Sequence, residues 1–275
     1  MKKYRNIVIN SRCNLNCSYC SSHDFDVDVP RVIKSLERIF DKFSDDKVVF
    51  RVECFGEITL YKEIINYLSE ISKKNSNYDI EILTNGLLMS KYVYKYDSIK
   101  WVFSLDGHTE EMNIKRGLKQ KAIDEILKYI LMLDAEIQCV YWGQKVSDIN
   151  DFIKFLRDRT YNGFVHIFPE LNNPKTIDVY LNYDELIKTD FIPEKDYFMR
   201  WKQLYEGHER NFICDHMLNG FVYQINEIGK IKAIKCDCIN NHKYEMEFGD
   251  IEKDEFDCMK CIQHNEYNNK RKIMV

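Results

Sequence analysis

The chain has 275 residues, 40 Lys and Arg against 44 Asp and Glu for a net charge of −4, and 45% hydrophobic content. That length suits one α/β barrel-sized domain with a small appendage, on a scale of roughly 100–200 residues per domain. The near balance of charge excludes broad electrostatic capture of nucleic acid, and 10 Gly, 4 Pro and 13% aromatic residues exclude collagen-like and disordered chains.

The N-terminus, MKKYRNIVINSRC, starts basic, but Asn10, Ser11 and Arg12 interrupt its apolar stretch before a signal-peptide core of about 7–15 residues can form. No later run approaches the ~18–20 apolar residues that cross a bilayer, so no membrane association and a cytoplasmic location are expected. Ten cysteines in a reducing compartment then read as metal or iron–sulfur ligands rather than disulfides.

Residues 4–10 read as a buried strand. Pro30 opens a helix whose Val32, Ile33, Leu36, Ile39, Phe40 and Phe43 share one face. A second strand (47–53) precedes a helix over 61–74, and a third (80–84) precedes a short helical stretch over 88–96. A strand over 99–106 leads to a helix carrying Ala122, Ile123, Ile126, Leu127, Ile130 and Leu131. Strand 136–142, a helix over 147–159 and strand 163–168 complete the series. This alternation predicts an α/β fold, a parallel sheet of about six strands forming a partial (βα)6 barrel over residues 1–190. Beyond residue 190 the alternation stops and cysteines resume. Residues 221–236 read as a hairpin turning near Glu227 and Gly229, within a small cysteine-bearing module over 191–275 that suits a metal staple.

Cys13, Cys17 and Cys20 lie in CNLNCSYC directly after the first strand. Loops that follow strands line the face where parallel barrels assemble active sites. Three thiolates leave one iron of a four-iron cluster open, whereas closed structural sites normally take four protein ligands. A zinc site completed by a distant ligand is the plainer alternative.

The triplet resembles the radical S-adenosylmethionine (radical SAM) superfamily, whose motif is CxxxCxxC with an aromatic residue before the last cysteine; Cys13, Cys17, Tyr19 and Cys20 match it. The resemblance covers residues 4 to about 170. It implies that the three cysteines hold a [4Fe-4S] cluster whose fourth iron binds S-adenosylmethionine, that Tyr19 lies near the adenine, and that reduction by a flavodoxin- or ferredoxin-type partner yields a 5′-deoxyadenosyl radical. The cofactor then carries the hard chemistry. In CFGEITLY, Gly56 and Glu57 match the family's Gly-Gly-Glu-Pro while Phe55 and Ile58 depart from it, and Glu57 is expected on the cofactor's ammonium. Cys54 reads as a small core residue. Thr84 and Asn85 in TNG, Ser104 and Asp106 in SLDG, and Arg116 resemble the family's polar cofactor contacts, although Asn-Gly and Asp-Gly are also common turn pairs. His166 and Glu170, at or after the sixth strand, are candidates for substrate contact or proton acceptance. Residues 23–29 read as a solvated acidic loop.

Cys214, Cys236, Cys258 and Cys261, with Cys238 as alternate, make a second four-thiolate set, and His216 or His242 can replace one member. The set resembles the superfamily's SPASM/Twitch extensions, the Twitch form with one auxiliary [4Fe-4S] cluster fitting the cysteine count; structural zinc favours the same ligands. The whole reads as a radical SAM oxidoreductase or maturase. The resemblance makes peptide modification the leading expectation, with small-molecule dehydrogenation close behind and a non-catalytic iron–sulfur or zinc protein as the reading from another class.

Overall fold

A computed structural model describes residues 3–20, 25–170, 221–234 and 245–246. Along the chain run β1 (Lys3–Asn10), α1 (Val29–Lys42), β2 (Val48–Phe55), α2 (Lys62–Lys74), β3 (Tyr78–Thr84), β4 (Ile99–Ser104), α3 (Gln120–Leu133), β5 (Glu136–Tyr141), α4 (Val146–Arg157) and β6 (Val165–Pro169). After residue 220 come β7 (Phe221–Ile225), β8 (Ile231–Ile234) and β9 (Glu245–Met246). The strand–helix alternation expected from periodicity is therefore present. Among the described residues, no helix is long and apolar enough to cross a membrane.

Local chemistry sets several boundaries. Asp28, inside the supposed acidic loop, caps α1 by accepting from the Arg31 amide at 3.2 Å, and Pro30 occupies the first turn. The helical stretch expected over 88–96 is only a 3₁₀ turn, Met89–Lys91. Tyr92, Val93 and Tyr96 are weak helix formers, and burial of Tyr92 against Tyr96 and Trp101 outweighs continued helix.

The described residues fall into two compact units, residues 3–13, 25–82, 221–234 and 245–246 in the first and 14–20 and 83–170 in the second. In the first, β1 pairs in parallel with β2, from Lys3↔Val48 to Asn10↔Phe55, and β2 pairs in parallel with β3. The expected hairpin forms, with Gln224 opposite Lys232. Its first strand lies parallel to β1, so β7 and β8 extend the same sheet. In the second unit, β4, β5 and β6 are consecutive parallel strands.

Each sheet segment has two chemically different faces. In the first unit Ile7, Ile9, Phe50, Val52, Ile80, Tyr223 and Ile225 are buried on the helix side, where Phe50 meets Phe40 edge-on at 4.7 Å and Phe43 packs on Tyr223. The opposite face carries Asn6, Asn10, Arg51, Glu53, Glu81 and Gln224, by the strict two-residue period of a strand. In the second unit Phe103, Ile137, Val165 and Ile167 are buried among the apolar residues of the unit, while Lys100, Ser104, Glu136, Gln138 and His166 share the other face. Phe50→Ala removes the ring that joins α1 to the sheet. It is expected to cost about 3–5 kcal/mol in denaturant unfolding, against less than about 1.5 kcal/mol for Phe50→Leu if the core repacks.

Candidate active site

The strand ends of the first unit are joined by backbone as well as by sheet. Beyond the ladder, Ser11 N–H donates to Phe55 O (3.2 Å) and Glu57 N–H to Arg12 O (2.9 Å). Gly56 lies between these bonds with φ +151°, and a Cβ there would stand 2.3 Å from Ser11 O and 2.5 Å from Arg12 O. Only glycine lets the segment after β2 lie this close to the residues leading into Cys13. Glu57 is 1% exposed rather than solvated, and its Oε1 accepts from the Thr59 amide (3.0 Å) and hydroxyl (2.6 Å), capping the Ile58–Leu60 turn. Cys54, expected in the core, is half-buried, and desolvation of its thiol pushes its pKa well above the ordinary value.

The second unit holds the rest of the cysteine loop by three tethers. Asn85 Nδ2 donates to Asn14 Oδ1 (2.7 Å), Ser18 N–H to Lys115 O (2.8 Å), and the Tyr19 hydroxyl to Asp106 Oδ2 (2.7 Å). A turn from Cys20 N–H to Cys17 O (3.0 Å) sets the spacing between the last two cysteines. Thr84 is buried and accepts from the Gly86 amide; Asn85 Oδ1 accepts from the Leu87 amide.

Asp106 organises the group. It is 0% exposed; besides Tyr19 it accepts from Val140 N–H at Oδ1 (3.0 Å), and Arg116 Nε stands 2.9 Å from Oδ1. That last contact is an ion pair rather than an aligned hydrogen bond, because no acceptor lies along the Nε–H direction. Arg116 also donates to Ser104 Oγ (2.8 Å) and lies 5.6 Å from the Tyr19 ring centroid. Burial alone would lower the guanidinium's pKa, but Asp106 outweighs it and holds the charge more firmly. Burial also pushes the Tyr19 phenol far up despite Arg116, so Tyr19 is a neutral donor. Of the residues expected on the cofactor, Tyr19, Ser104, Asp106 and Arg116 thus come together, chiefly by binding one another. Asp106 stands behind Tyr19 rather than open to solvent.

The two weaker candidates separate. Glu170 is at the strand-end side: its amide donates to Tyr141 O, and its carboxylate takes Lys115 at 2.7 Å, whose ammonium also lies over Trp142. His166 is not there. It faces Glu136, the first residue of β5, at 3.0 Å, and Glu136 also binds Lys100, so the group lies toward the opposite ends of these strands. His166 therefore shares a hydrogen bond with Glu136, away from the strand ends that carry Glu170. Burial works to raise the Glu136 pKa, but the hydrogen bonds from His166 and Lys100 prevail and bring it down to about 2. Sequence reasoning missed Asn14, Asn113, Lys115 and Glu136. Asn113, which accepts from the Asp106 amide and donates to Gly107 O, had no motif to betray it.

Cys13 and Cys17 are half-buried, Cys20 is exposed, and none is in a disulfide. The described residues contain no ready-made group of three His, Cys, Asp or Glu side chains at metal-holding distance. The fit to an iron–sulfur cluster therefore rests on donor chemistry: three thiols outside any disulfide within eight residues of one tethered loop. Cys214, Cys236, Cys238, Cys258 and Cys261, with His216 and His242, lie outside the described residues.

Residues 7–158 match the family model of the radical SAM superfamily. Neomycin C epimerase of Streptomyces fradiae is 42% identical over 279 residues, covering 100% of this chain and 92% of that one. A probable GTP 3',8-cyclase of Methanococcus aeolicus is 28% identical over 171 residues, 55% of this chain and 54% of its own. Among solved structures, SuiB of Streptococcus suis bound to S-adenosylmethionine aligns with a TM-score of 0.63 at 18% identity, covering 96% of this chain and 65% of SuiB. The chain belongs to the radical SAM superfamily, with the α/β, TIM-barrel-like fold of such enzymes, and that superfamily uses a [4Fe-4S] cluster and S-adenosylmethionine.

Two measurements check the network. Arg116→Met strands the buried Asp106 charge and is expected to cost about 3–5 kcal/mol in denaturant unfolding, more than Tyr19→Phe at about 1–3 kcal/mol. Glu136, whose pKa is depressed in the folded state, contributes stability that is complete above the unfolded carboxylate range near 4.5 and is lost as pH falls toward about 2. Glu136→Gln is expected to lower stability at neutral pH and to flatten its decline between about pH 5 and 2, read by melting temperature.

Proposed function

We propose that this radical SAM enzyme acts on an amine-bearing, polyhydroxylated small molecule of the aminoglycoside kind and inverts one of its C–H stereocentres. The supporting observation is 42% identity to neomycin C epimerase along essentially the whole of both chains. The peptide reading draws on the superfamily resemblance, and the SuiB likeness, at 18% identity, speaks for fold alone, so the small-molecule class is favoured. Epimerisation replaces dehydrogenation as the reaction: one hydrogen atom would pass from one face of a carbon to the 5′-deoxyadenosyl radical, giving 5′-deoxyadenosine. A donor of the thiol class, restored by the external reductant, would return one hydrogen atom to the opposite face, so the substrate's composition is unchanged.

In this reading Cys13, Cys17 and Cys20 hold the cluster, and Tyr19, Gly56, Glu57, Thr84, Asn85, Ser104, Asp106 and Arg116 shape the S-adenosylmethionine site. When bound, cluster and cofactor supply one-electron cleavage to a 5′-deoxyadenosyl radical. The chain's own part is positional. Asn85, Lys115 and Asp106 hold the cysteine loop, Gly56 permits close backbone approach, and buried Glu57 presents a carboxylate suited to an ammonium. Cys214, Cys236, Cys258 and Cys261, or Cys238 in place of one, hold an auxiliary cluster in a C-terminal module over 191–275.

Anaerobic incubation with reductant, S-adenosylmethionine and neomycin C should yield 5′-deoxyadenosine and a product of unchanged composition with altered stereochemistry. A product lacking two hydrogens would instead mean dehydrogenation, and no product would end the substrate reading. Replacing Cys13, Cys17 and Cys20 together by Ala should remove 5′-deoxyadenosine formation and lower iron content, whereas Cys258→Ala with Cys261→Ala should spare part of the cleavage and impair turnover. Zinc in place of iron and sulfide at the second set would overturn the auxiliary cluster.

A further inference from the structure

A cleft of about 230 Å3 in the first unit is lined by Asn10, Gln224, Asn226, Glu227, Lys230 and Lys232. Its size suits a single ring, being smaller than the ~300–1,000 Å3 pockets that enclose drug-sized ligands. Asn10 ends β1, one residue before Ser11, and its parallel neighbour β7 runs into the turn that carries Glu227 and Lys230. The cleft thus opens at the C-terminal ends of β1 and β7, on the polar face of the sheet.

The backbone of the turn is fastened at several points. Asn226 N–H donates to Lys230 O, and Asn226 Oδ1 accepts from the Lys230 amide at 2.7 Å, closing the turn. The turn is fastened to α1 by the Asp28 amide on Glu227 O (2.8 Å) and the Ser35 hydroxyl on Gly229 O (2.5 Å). Gly229, at φ +80°, presses so closely on Arg31 that a Cβ would come within 2.7 Å of it. Gln224 Nε2 donates to Asn10 Oδ1 (3.0 Å), which orients both amides and leaves Asn10 Nδ2 as donor and Gln224 Oε1 as acceptor. Among the described residues, the Glu227 carboxylate and Lys230 ammonium form no side-chain hydrogen bond or ion pair.

We propose that this cleft is the subsite that recognises one ring of the substrate through both its amino and its hydroxyl substituents, Glu227 taking an ammonium group while Lys230 and Asn10 donate to oxygens. The mixed lining selects for such a ring. A bare anion would meet Glu227 and a bare cation would meet two lysines, whereas a ring bearing both kinds of group answers every position. The assignment rests on the aminoglycoside-like substrate class proposed above and adds the residues that read it.

The test uses the reduced holoenzyme with neomycin C as probe. Glu227→Gln and Lys230→Ala should each raise KM roughly tenfold or more, with a smaller effect on kcat, because each removes a charge-assisted contact made to the ring in ground state and transition state alike. Circular dichroism should be unchanged, since Lys230 is exposed and Glu227 is half-buried, and the turn is held by backbone and Asn226 contacts that neither side chain makes. A probe with acetylated amines should bind the wild type and Glu227→Gln equally. Wild-type turnover of neomycin C with unchanged KM in both variants overturns the subsite while leaving the substrate class standing. Cofactor cleavage without binding or conversion of neomycin C overturns the substrate class and the subsite with it.

Discussion

The buried Asp106 carboxylate is the constraint around which the cysteine loop is organised. Removing an ionised carboxylate from water costs several kcal/mol, so it persists only where its acceptor positions are answered. Here the answers come from three parts of the chain: the Tyr19 hydroxyl from the loop after β1, Arg116 from the turn after β4, and the Val140 amide from β5. Asn113 then grips the backbone on either side of Asp106. Such an arrangement tolerates little displacement, because a small shift would leave a charge unpaired in a place without solvent. The loop bearing Cys17 and Cys20 inherits that precision from a residue that need touch no metal.

A second constraint is the division between sheet faces. Parallel strands covered on both sides usually read as unbroken apolar runs. Here they alternate in part, as in Phe50-Arg51-Val52-Glu53 and Glu136-Ile137-Gln138, and polar members pair with one another. Arg51 binds Glu81 at 2.9 Å, and Glu136 holds both His166 and Lys100. The apolar members carry the packing on α1 through Phe40, Phe43 and Phe50. One face supplies stability by burial, and the other carries hydrogen-bonding groups. The cleft beside Asn10 lies where that polar face reaches the strand ends.

Several elements were legible because their signals are local. The cysteine spacing with Tyr19, the apolar stripes of α1 to α4, Pro30 at a helix start and the turn near Gly229 each depend on residues within a dozen positions. The failures share one cause. The stretch 88–96 has a helical pattern, yet tyrosine packing on Trp101 holds it as a single turn. His166 occupies a plausible strand position, yet its neighbour Glu136, thirty residues away, claims it. The hairpin over 221–234 was readable, but its docking beside β1 was not, since strand adjacency leaves no mark at short range.

By itself, then, the sequence determined the α/β alternation, the three-thiol loop and membership of the superfamily, because periodicity and ligand spacing are written over short stretches of chain. The tertiary structure alone decided which polar groups answer one another: Tyr19 with Asp106 across 87 positions, and Gln224 with Asn10 across 214. The physical reason is that a buried hydrogen bond or ion pair is chosen by proximity in the folded chain, and many Asn, Asp and Arg residues compete for each partner until packing removes the alternatives.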